Sequence, residues 1–234
     1  MKSNQNNLQI LYEDNHLIVI NKRAGDLVQG DKTGDAPLSD ILKAYIQEKY
    51  NKPGQVFLGV VHRLDRPTTG AVIFARTSKA LERMNKIMRD RQAHKIYWAL
   101  VEGDPKPEEQ TLVHYLKKNP KNNKSTAFPR PSDQSKKAIL HYKKRAKLDF
   151  YSLLEIELET GRHHQIRCQL SVIGHPIKGD LKYGSKRSNK NGGIHLHARE
   201  IRFEHPVKKT ELIIQAPLPE DSLWKASSEK LKTS

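Results

Sequence analysis

The chain has 234 residues, of which 36% are hydrophobic and 29% are charged. This length supplies one good hydrophobic core, or at most two small ones. Apolar runs such as residues 71–75 are too short to cross a bilayer, and the polar first residues lack the apolar stretch of a signal peptide. A single cysteine, Cys168, excludes an intrachain disulfide and fits a reducing compartment. We therefore expect a soluble cytoplasmic protein.

The charge balance favours a polyanionic partner. Lysine and arginine number 42 against 26 acidic residues, which gives a net charge of +16. An excess of this size favours nucleic acid, because each phosphate contact releases condensed counterions. A basic surface kept for solubility is the alternative that the charge alone leaves open.

The hydrophobic pattern predicts more strands than helices. Apolar runs or alternation predict strands, in chain order, over 17–21, 56–61, 71–75, 96–101, from about 138, 151–159, 196–203 and 211–215. Apolar residues at helical spacing predict helices over 38–46, 81–88 and 165–173, the first starting near Asp35 or Ser39. Strands and helices do not alternate as a parallel sheet requires. We therefore expect the α+β class, with a mixed, largely antiparallel central sheet and flanking helices and loops, in a single domain over 1–234 whose core covers about 10–218.

Residues 117–147 form the most basic segment, with eleven lysines or arginines against one acidic residue, Asp133. Three prolines and several Asn and Ser residues in its first half predict a mobile basic loop near 117–137. We expect this region to contact phosphates of a nucleic-acid backbone. The candidates for these contacts are Lys136, Lys137, Lys143 and Lys144.

The most distinctive segment is residues 62–70, with the sequence HRLDRPTTG, between two predicted strands. It places Asp65 between Arg63 and Arg66 and close to His62. Neighbouring cations favour the ionised carboxylate, and a carboxylate kept charged in a cleft can act as a nucleophile. The residues alone leave a second interpretation open, in which an Asp–Arg pair braces a turn.

Two further segments carry candidate binding groups. Residues 161–167, GRHHQIR, lie between a predicted strand and a predicted helix, and their guanidinium groups suit a carboxylate or a phosphate. A solvated basic loop is the alternative there. Residues 95–98, KIYW, place Tyr97 near Lys95, which suits stacking on a nucleobase, although a tyrosine in such a strand belongs more often to the core.

The histidines do not form a recognisable metal motif. His163 and His164 are adjacent, His195 and His197 share a strand face, and the sequence has neither H-E-x-x-H nor paired C-x-x-C. It also lacks the glycine-rich patterns of nucleoside triphosphate and dinucleotide sites. We expect no metal.

Together these segments resemble the RluA-type RNA pseudouridine synthases. The family's motifs, with their positions here, are H-R-L-D-x-x-[TS]-[ST]-G at 62–70, K-x-Y at 95–97, G-R-x-H-Q-I-R at 161–167, G-x-P-[IL]-x-G-D-x-x-Y-G at 174–184, and L-H-A with a later H-P at 196–198 and 205–206. One such motif arises by chance, whereas several in the family's order over roughly residues 10–218 are a specific match.

The sequence departs from the family pattern in three places. Where the family has K-P-x-G, residues 22–25 are KRAG, so the proline is lost. Thr69 stands where Ser is commoner, and His163 replaces the usual Thr or Ser. The chain starts almost directly at the catalytic segment, so we expect no N-terminal S4-like RNA-binding domain.

The resemblance implies an isomerase that converts specific uridines of RNA to pseudouridine and needs no cofactor. It implies that Asp65 is the nucleophile, that Arg167 pairs with it, and that Tyr97 stacks on the target uracil. Further substrate-binding residues follow from the motifs: His62, Arg63, Arg162, Gln165 and Leu196.

The partner implied by the resemblance is structured RNA, with ribosomal RNA favoured over transfer RNA, and a monomer is the default. The alternative function is a catalytically inactive RNA-binding protein of the same fold, which has no need to retain Asp65, Tyr97 and Arg167 together. A metal-dependent nuclease built on Asp65 lacks a second well-placed carboxylate near the motif.

Overall fold

The computed structural model describes residues 2–31 and 33–232. Their elements, in chain order, are β1 (Ile10–Glu13), β2 (Leu17–Lys22), α1 (Leu38–Lys49), β3 (Gly59–Val60), β4 (Thr69–Ala75), α2 (Ser78–Arg89), β5 (His94–Glu102), β6 (Glu109–Asn119), β7 (Lys124–Phe128), β8 (Lys136–Lys147), β9 (Tyr151–Leu158), α3 (Gln165–Val172), a 3₁₀ turn (Leu181–Tyr183), β10 (Leu196–Glu204), β11 (Glu211–Gln215) and α4 (Ser222–Lys232). The expected α+β class is confirmed.

Most predicted elements are confirmed to within a few residues. The last predicted strand, 211–215, matches β11 at both ends. The predicted strand 56–61 is wrong in extent, because only its Gly59–Val60 part is a strand, paired with β4. Helix α1 has Pro37 as its N-cap residue, in place of the expected Asp35 or Ser39, and makes no side-chain capping bond. Strands β1, β6 and β7 and helix α4 had no predicted counterpart.

Contacts between Cα atoms divide the chain into two compact units, and unit 1 comprises residues 1–94 and 198–217. In unit 1, β2 pairs antiparallel with β1 and with β4. The alternation of β2 explains its unbroken apolar sequence, because Leu17 and Val19 pack in the cluster that contains α2, whereas Ile18 and Ile20 pack in the cluster that contains α1. Both faces of β2 are therefore buried, and the strand ends at the charged residue Lys22.

Unit 2 comprises residues 95–197 and 218–234. Its strands follow the order β5-β9-β8-β6-β7, and each is antiparallel to its neighbour. Helix α3 packs on this sheet through Cys168, beside Leu116 and Tyr183. Helix α4 packs through Trp224 against Leu153, so the segment expected to be a polar tail is an amphipathic helix. That one catalytic domain spans the whole chain stays a prediction.

The segment expected to be a mobile basic loop contains a β-hairpin, so that expectation is wrong for its first half. Strands β6 and β7 pair as far as Asn119 and Lys124. Asparagine side chains close the turn, since Asn119 Oδ1 accepts from Lys121 N–H (3.0 Å) and Asn122 Oδ1 accepts from Lys124 N–H (3.1 Å). The asparagines that suggested a loop therefore build the turn, and the short polar strand after it has no apolar pattern that sequence reasoning detects.

Candidate active site

The loop that carries Asp65 lies between β3 and β4 and is tied to β4 at its start. Val61 N–H donates to the carbonyl oxygen of Ile73 (3.3 Å), and Ile73 N–H donates to His62 Nε2 (3.2 Å). Thr68 N–H donates to the Asp65 carbonyl oxygen (3.0 Å), which closes a tight turn. The Asp65 residue is half-buried. The acid of the motif therefore stands on a short, tethered loop.

Lys22, at the end of β2, holds the same loop from the interior of unit 1. Its ammonium donates to the carbonyl oxygens of Arg23 (3.0 Å), Arg66 (2.9 Å) and Thr68 (2.7 Å), and the residue is 1% exposed. An ammonium has three N–H donors and no acceptor, so these bonds use every proton that it carries. Two of the acceptors belong to the turn that follows Asp65, and Lys22 therefore fixes the backbone of that turn.

The electrostatic setting makes the proton of Lys22 responsive near neutral pH. Burial lowers the pKa of Lys22 to about 7, because the charged form loses its hydration. The carboxylates of Asp26 and Asp65 act in the opposite direction, and Arg66 adds to the lowering. Asp65 and Lys22 thus interact as charges in addition to the contacts through the loop backbone.

Gly70, the last residue of the motif, allows β4 to approach β10 closely. Its φ is +113°, a conformation that residues with a side chain rarely adopt. A Cβ atom at this position would lie 2.3 Å from the carbonyl oxygen of Ala198. The motif therefore requires glycine here for a steric reason that is independent of the chemistry at Asp65.

The two arginines of the motif have different surroundings. The guanidinium of Arg66 is paired with Asp35, and Asp35 also accepts from Lys2 Nζ (2.7 Å). Arg63 is exposed. The side chain of Arg66 therefore pairs with Asp35. The hydrogen bonds that brace the turn come from Lys22.

Arg167 lies in the first turn of α3, where it forms a buried, bidentate ion pair. Its Nε donates to Asp180 Oδ2 (2.6 Å) and its Nη2 donates to Asp180 Oδ1 (2.8 Å), and the two residues are 5% and 1% exposed. The guanidinium carbon also lies 5.0 Å from the centre of the Tyr183 ring. A planar guanidinium held at one edge and over an aromatic ring has a fixed orientation.

The hydroxyl of Tyr183 connects this ion pair to the residues before α3. It accepts a hydrogen bond from Ser125 N–H (2.8 Å) and lies 2.9 Å from His164 Nδ1. Burial raises the pKa of Tyr183 to about 12, and burial together with the Arg167 charge lowers the pKa of His164 to about 2. The histidine is therefore neutral, and its Nδ1 lies within hydrogen-bond distance of the phenol hydroxyl. Its ring stacks on His163 at 3.7 Å between ring centres.

Arg162 and Gln165 brace the loop that precedes α3. Gln165 Oε1 accepts from Arg162 N–H (2.9 Å) and from the Thr160 hydroxyl (2.8 Å), and Gln165 Nε2 donates to the Ile139 carbonyl oxygen (3.0 Å). Arg162 Nε donates to the Lys137 carbonyl oxygen (2.9 Å). These bonds position the start of α3, and with it Arg167.

Tyr97 and Leu196 are both buried within unit 2. Tyr97 belongs to β5, opposite Ile156 of β9, and is 7% exposed. Leu196 is the first residue of β10 and is 4% exposed. Their predicted contacts with a target base stay predictions.

The four lysines expected to contact a nucleic-acid backbone differ in their surroundings. Lys136 and Lys137 are exposed at the start of β8. Lys143 lies 3.5 Å from a carboxylate oxygen of Glu109. The side chain of Lys144 is 8% exposed and lies 2.8 Å from Asp104 and 3.1 Å from Glu108. The hydrogen bond to Asp104, with a further contribution from Glu108, raises the pKa of Lys144. Lys136 and Lys137 are thus the better-placed pair for a phosphate.

The described part of the chain contains neither a metal-binding cluster nor a membrane-spanning helix. Within residues 2–31 and 33–232, no group of three or more His, Cys, Asp and Glu side chains is arranged to hold a metal ion. In the same residues, no helix is both long and apolar enough to span a bilayer. The free cysteine, Cys168, is buried, and burial raises the pKa of its thiol to about 11.

The predicted site residues divide between the two units. Unit 1 contains His62, Arg63 and Asp65, and unit 2 contains the others that the motifs single out: Tyr97, Arg162, Gln165, Arg167 and Leu196. Within unit 2, Arg162 lies in the loop before α3, and Gln165 and Arg167 lie in the first turn of that helix.

Sequence reasoning missed three residues that support these groups, namely Lys22, Asp180 and Tyr183. Asp180 and Tyr183 are the fixed positions of the G-D-x-x-Y-G motif, which was recognised without a role for either. Lys22 opens the KRAG segment, whose departure from the family pattern is the missing proline. The available signal was a lysine at the end of a strand with a buried apolar run, a position where burial demands hydrogen-bond partners.

Comparison with known proteins identifies the family. A family model described as RNA pseudouridylate synthase matches residues 16–172. Among solved structures, a human RNA pseudouridylate synthase domain containing protein (number 4) superposes with a TM-score of 0.78 at 26% identity, covering 96% of this chain and 93% of that one. Fold and motifs together define an RNA-modifying isomerase class, and the chain belongs to the RNA pseudouridine synthase family.

Curated relatives carry names for more than one RNA. An uncharacterised RNA pseudouridine synthase of Synechocystis is 35% identical over 91% of this chain and 66% of its own length. The ribosomal large subunit pseudouridine synthase D of Xylella fastidiosa is 34% identical over 92% and 67%. The tRNA pseudouridine synthase C of Vibrio parahaemolyticus is 30% identical over 93% and 92%. The chain thus spans about two thirds of the length of the first two relatives and most of the third.

Proposed function

We propose that this protein converts uridine to pseudouridine in a structured RNA, with Asp65 as the nucleophile. The observation that carries the proposal is the half-buried Asp65 on a turn whose backbone is held by the ammonium of Lys22. A nucleophile must meet its target atom in a fixed geometry. The family membership supplies the reaction, and the tethered loop supplies the geometry that the reaction needs.

The reaction is an isomerisation with no net change in composition. The bond from carbon 1′ of the ribose to nitrogen 1 of uracil breaks, and a bond from carbon 1′ to carbon 5 forms. Carbon 5 loses a proton and nitrogen 1 gains one. Because no electrons enter or leave, the chemistry calls for a nucleophile and for proton transfer, and we propose that no cofactor takes part.

We propose that Arg167 is the cationic partner of Asp65. Support comes from the match of the G-R-x-H-Q-I-R motif and from the way that unit 2 fixes this side chain. Asp180 binds the Nε and Nη2 edge of the guanidinium, and Tyr183 lies against its face. A guanidinium oriented in this way supplies a directed positive charge, which favours the ionised form of a carboxylate nearby.

We propose that the target base is turned out of its helix and stacked on Tyr97, with Leu196 as a second apolar wall. Extrusion is required because the reacting atoms are inaccessible in a stacked helix, at a cost of a few kcal/mol. His62 and the exposed Arg63 are proposed to contact the RNA next to the extruded base. For Arg162 and Gln165, we propose substrate contact and a second role, which is to position the start of α3 through the hydrogen bonds described above.

The RNA target is proposed to be ribosomal RNA in preference to transfer RNA. Relatives named for the ribosomal large subunit and one named for tRNA are similarly distant from this chain, at 34%, 33% and 30% identity. We further propose a monomer that acts in the cytoplasm. The catalytically inactive RNA-binding protein is the competing function, and it has no need to retain Asp65, Tyr97 and Arg167 together.

Site-resolved pseudouridine mapping of total cellular RNA, with and without the gene, tests the proposed activity and the choice of RNA. The proposal expects at least one ribosomal position to lose its pseudouridine and to regain it when the wild-type gene is restored. Loss at a tRNA position alone would keep the reaction and overturn the ribosomal assignment. An unchanged map would favour the inactive RNA-binding protein.

A further inference from the structure

One face of the β7-β6-β8 sheet carries a row of two aromatic side chains and a lysine. Tyr115 of β6 lies directly opposite Phe128 of β7 and directly opposite Lys137 of β8. Residues that are directly opposite on neighbouring strands project from the same face of a sheet. The three side chains therefore form a continuous row across three strands.

This row lies on the face opposite to the buried core of unit 2. The neighbouring residues Leu116 and Ala138 are 5% and 0% exposed and belong to the cluster that α3 covers. Side chains alternate between faces along a strand, so Tyr115 and Lys137 point the other way. Both aromatic residues are half-buried, and Val113 on the same face is 44% exposed.

The part of this face around the row is basic. We define the β6–β8 platform as that part of the face: Val113, Tyr115, Lys117, Thr126, Phe128, Lys137 and Ile139. Farther along the same face, the register places Thr111 opposite His141 and Glu109 opposite Lys143. The platform has two lysines and no acidic residue. The nearest acidic group to either lysine among the described ion pairs is Asp133, whose exposed carboxylate lies 3.8 Å from Lys117.

We propose that the β6–β8 platform binds single-stranded RNA, with bases stacked on Tyr115 and Phe128 and phosphates contacted by Lys117 and Lys137. The proposal rests on the proposed function for the identity of the polyanion. Charge complementarity favours RNA as the occupant, because the platform is cationic and the chain carries a net charge of +16.

The size of the platform suits a short stretch of nucleotides. Neighbouring strands lie about 4.8 Å apart, so three strands span roughly 10 Å. In RNA-binding domains whose sheets display aromatic residues, such a surface stacks two or three bases. Stacking is tolerant of sequence, because every base has a π-face. The platform would therefore bind an unpaired loop of the RNA, or unpaired nucleotides that flank the target, and would contribute little to the choice of uridine.

Fluorescence anisotropy with a labelled oligouridylate of about twelve nucleotides tests the platform, since single-strand sites cover about 4 to 16 nucleotides. Tyr115→Leu and Phe128→Leu remove the ring and keep an apolar side chain. Each is expected to raise the Kd at least about fivefold, in line with the contribution of one stacked base. Phe150→Leu is the matched control, because Phe150 is 79% exposed in the same unit and lies outside the platform. It should leave the Kd unchanged.

A second arm separates stacking from simple charge attraction. Lys137→Ala should lower the slope of log Kd against log salt by about one, and the two aromatic substitutions should leave that slope unchanged. Melting temperatures of all variants establish that each is folded. The Kd for an RNA duplex of similar length is measured for the same variants. If folded Tyr115→Leu and Phe128→Leu bind oligouridylate like the wild type, or raise the Kd for the duplex as much as the Kd for oligouridylate, the platform is overturned.

The binding assay also keeps this proposal distinct from the proposed function, because it needs no turnover. A wild type that forms pseudouridine, with aromatic variants that bind normally, would overturn the platform alone. A wild type that forms none, with aromatic variants that bind weakly, would overturn the proposed activity and leave the platform in place.

Discussion

The ammonium of Lys22 donates a 2.7 Å hydrogen bond to the carbonyl oxygen of Thr68, three residues after Asp65. With the bond to Arg66, this contact ties the end of β2 to the turn that presents the proposed nucleophile. A buried, solvent-free ammonium is costly unless its donors are satisfied. Here the backbone of the turn satisfies them, so the cation and the turn conformation depend on each other.

Replacement of Lys22 by Met should damage both the turn and the reaction. The Thr68 carbonyl oxygen would lose its ammonium donor, at a cost of about 1–3 kcal/mol for a buried group left unsatisfied, and the Arg66 carbonyl oxygen would keep only the bond from Gly25 N–H. We expect a lower free energy of unfolding in urea, and a kcat that falls more than RNA affinity does. Lys43→Met is the control, because Lys43 is exposed on α1. A Lys22→Met protein with wild-type kcat would contradict the positioning role.

Stability and activity should respond to pH in opposite directions. Folding lowers the pKa of Lys22 to about 7 from 10.5, so the unfolded chain binds more protons between these values. The free energy of unfolding from this group therefore rises with pH through that window. The neutral amine has only two N–H donors, so one loop carbonyl loses its partner and kcat should fall.

Urea titrations and initial rates across the same pH window test this coupling. The Lys22→Met protein, which has no titrating group at this position, should lack the Lys22 contribution to the stability slope. If the wild-type kcat rises together with the free energy of unfolding as the pH goes from about 7 to 10.5, the proposed role of the Lys22 ammonium in the turn is contradicted.

Asp180→Asn should disable Arg167 without touching the proposed nucleophile. Removing one partner of a buried ion pair leaves an uncompensated charge and costs about 3–5 kcal/mol. We expect a fall in the melting temperature and a loss of kcat greater than the change in KM. Asp133→Asn, at an exposed carboxylate in the same unit, is the control. Equal kcat values for Asp180→Asn and the wild type would show that the ion pair is unnecessary for the reaction.

Gly70→Ala should destabilise unit 1 through a clash between strands. The new Cβ would lie 2.3 Å from the Ala198 carbonyl oxygen, and alanine disfavours a φ of +113°. Gly30→Ala is the matched control, because its Cβ would meet only a side-chain atom of Pro37 at 3.9 Å. Urea unfolding of the two proteins should show a large loss for the first and little change for the second. Equal midpoints would contradict the steric account of this glycine.

The sequence predicts best what depends on neighbouring residues. The apolar run of β2, the apolar–polar alternation of β9 and the helical spacing of α2 arise from local burial, and these elements are confirmed. Strand β7 escaped prediction because its burial comes from long-range contacts, such as that of Ser125 N–H with the Tyr183 hydroxyl. Its polar sequence has no local signal of this contact.

The candidate site shows the same limit. The motif singles out Asp65 and Arg167 by residue type, whereas Lys22 and Asp180 act through partners 46 and 13 positions away. A lysine at the end of an apolar strand signals a need for hydrogen-bond partners, but the sequence does not identify them, because any residue supplies a carbonyl. The geometry of the turn and of the guanidinium therefore had to come from the structure.

The most direct test of the account is tritium release from RNA labelled at carbon 5 of uridine, measured for the wild type, Asp65→Asn and Asp40→Asn. Asp40 is exposed on α1 and serves as the matched control. The account predicts release by the wild type and Asp40→Asn, and none above background by Asp65→Asn, whose RNA affinity should stay within a few-fold of the wild type. Release by Asp65→Asn at the wild-type rate would contradict the assignment of Asp65 as the nucleophile.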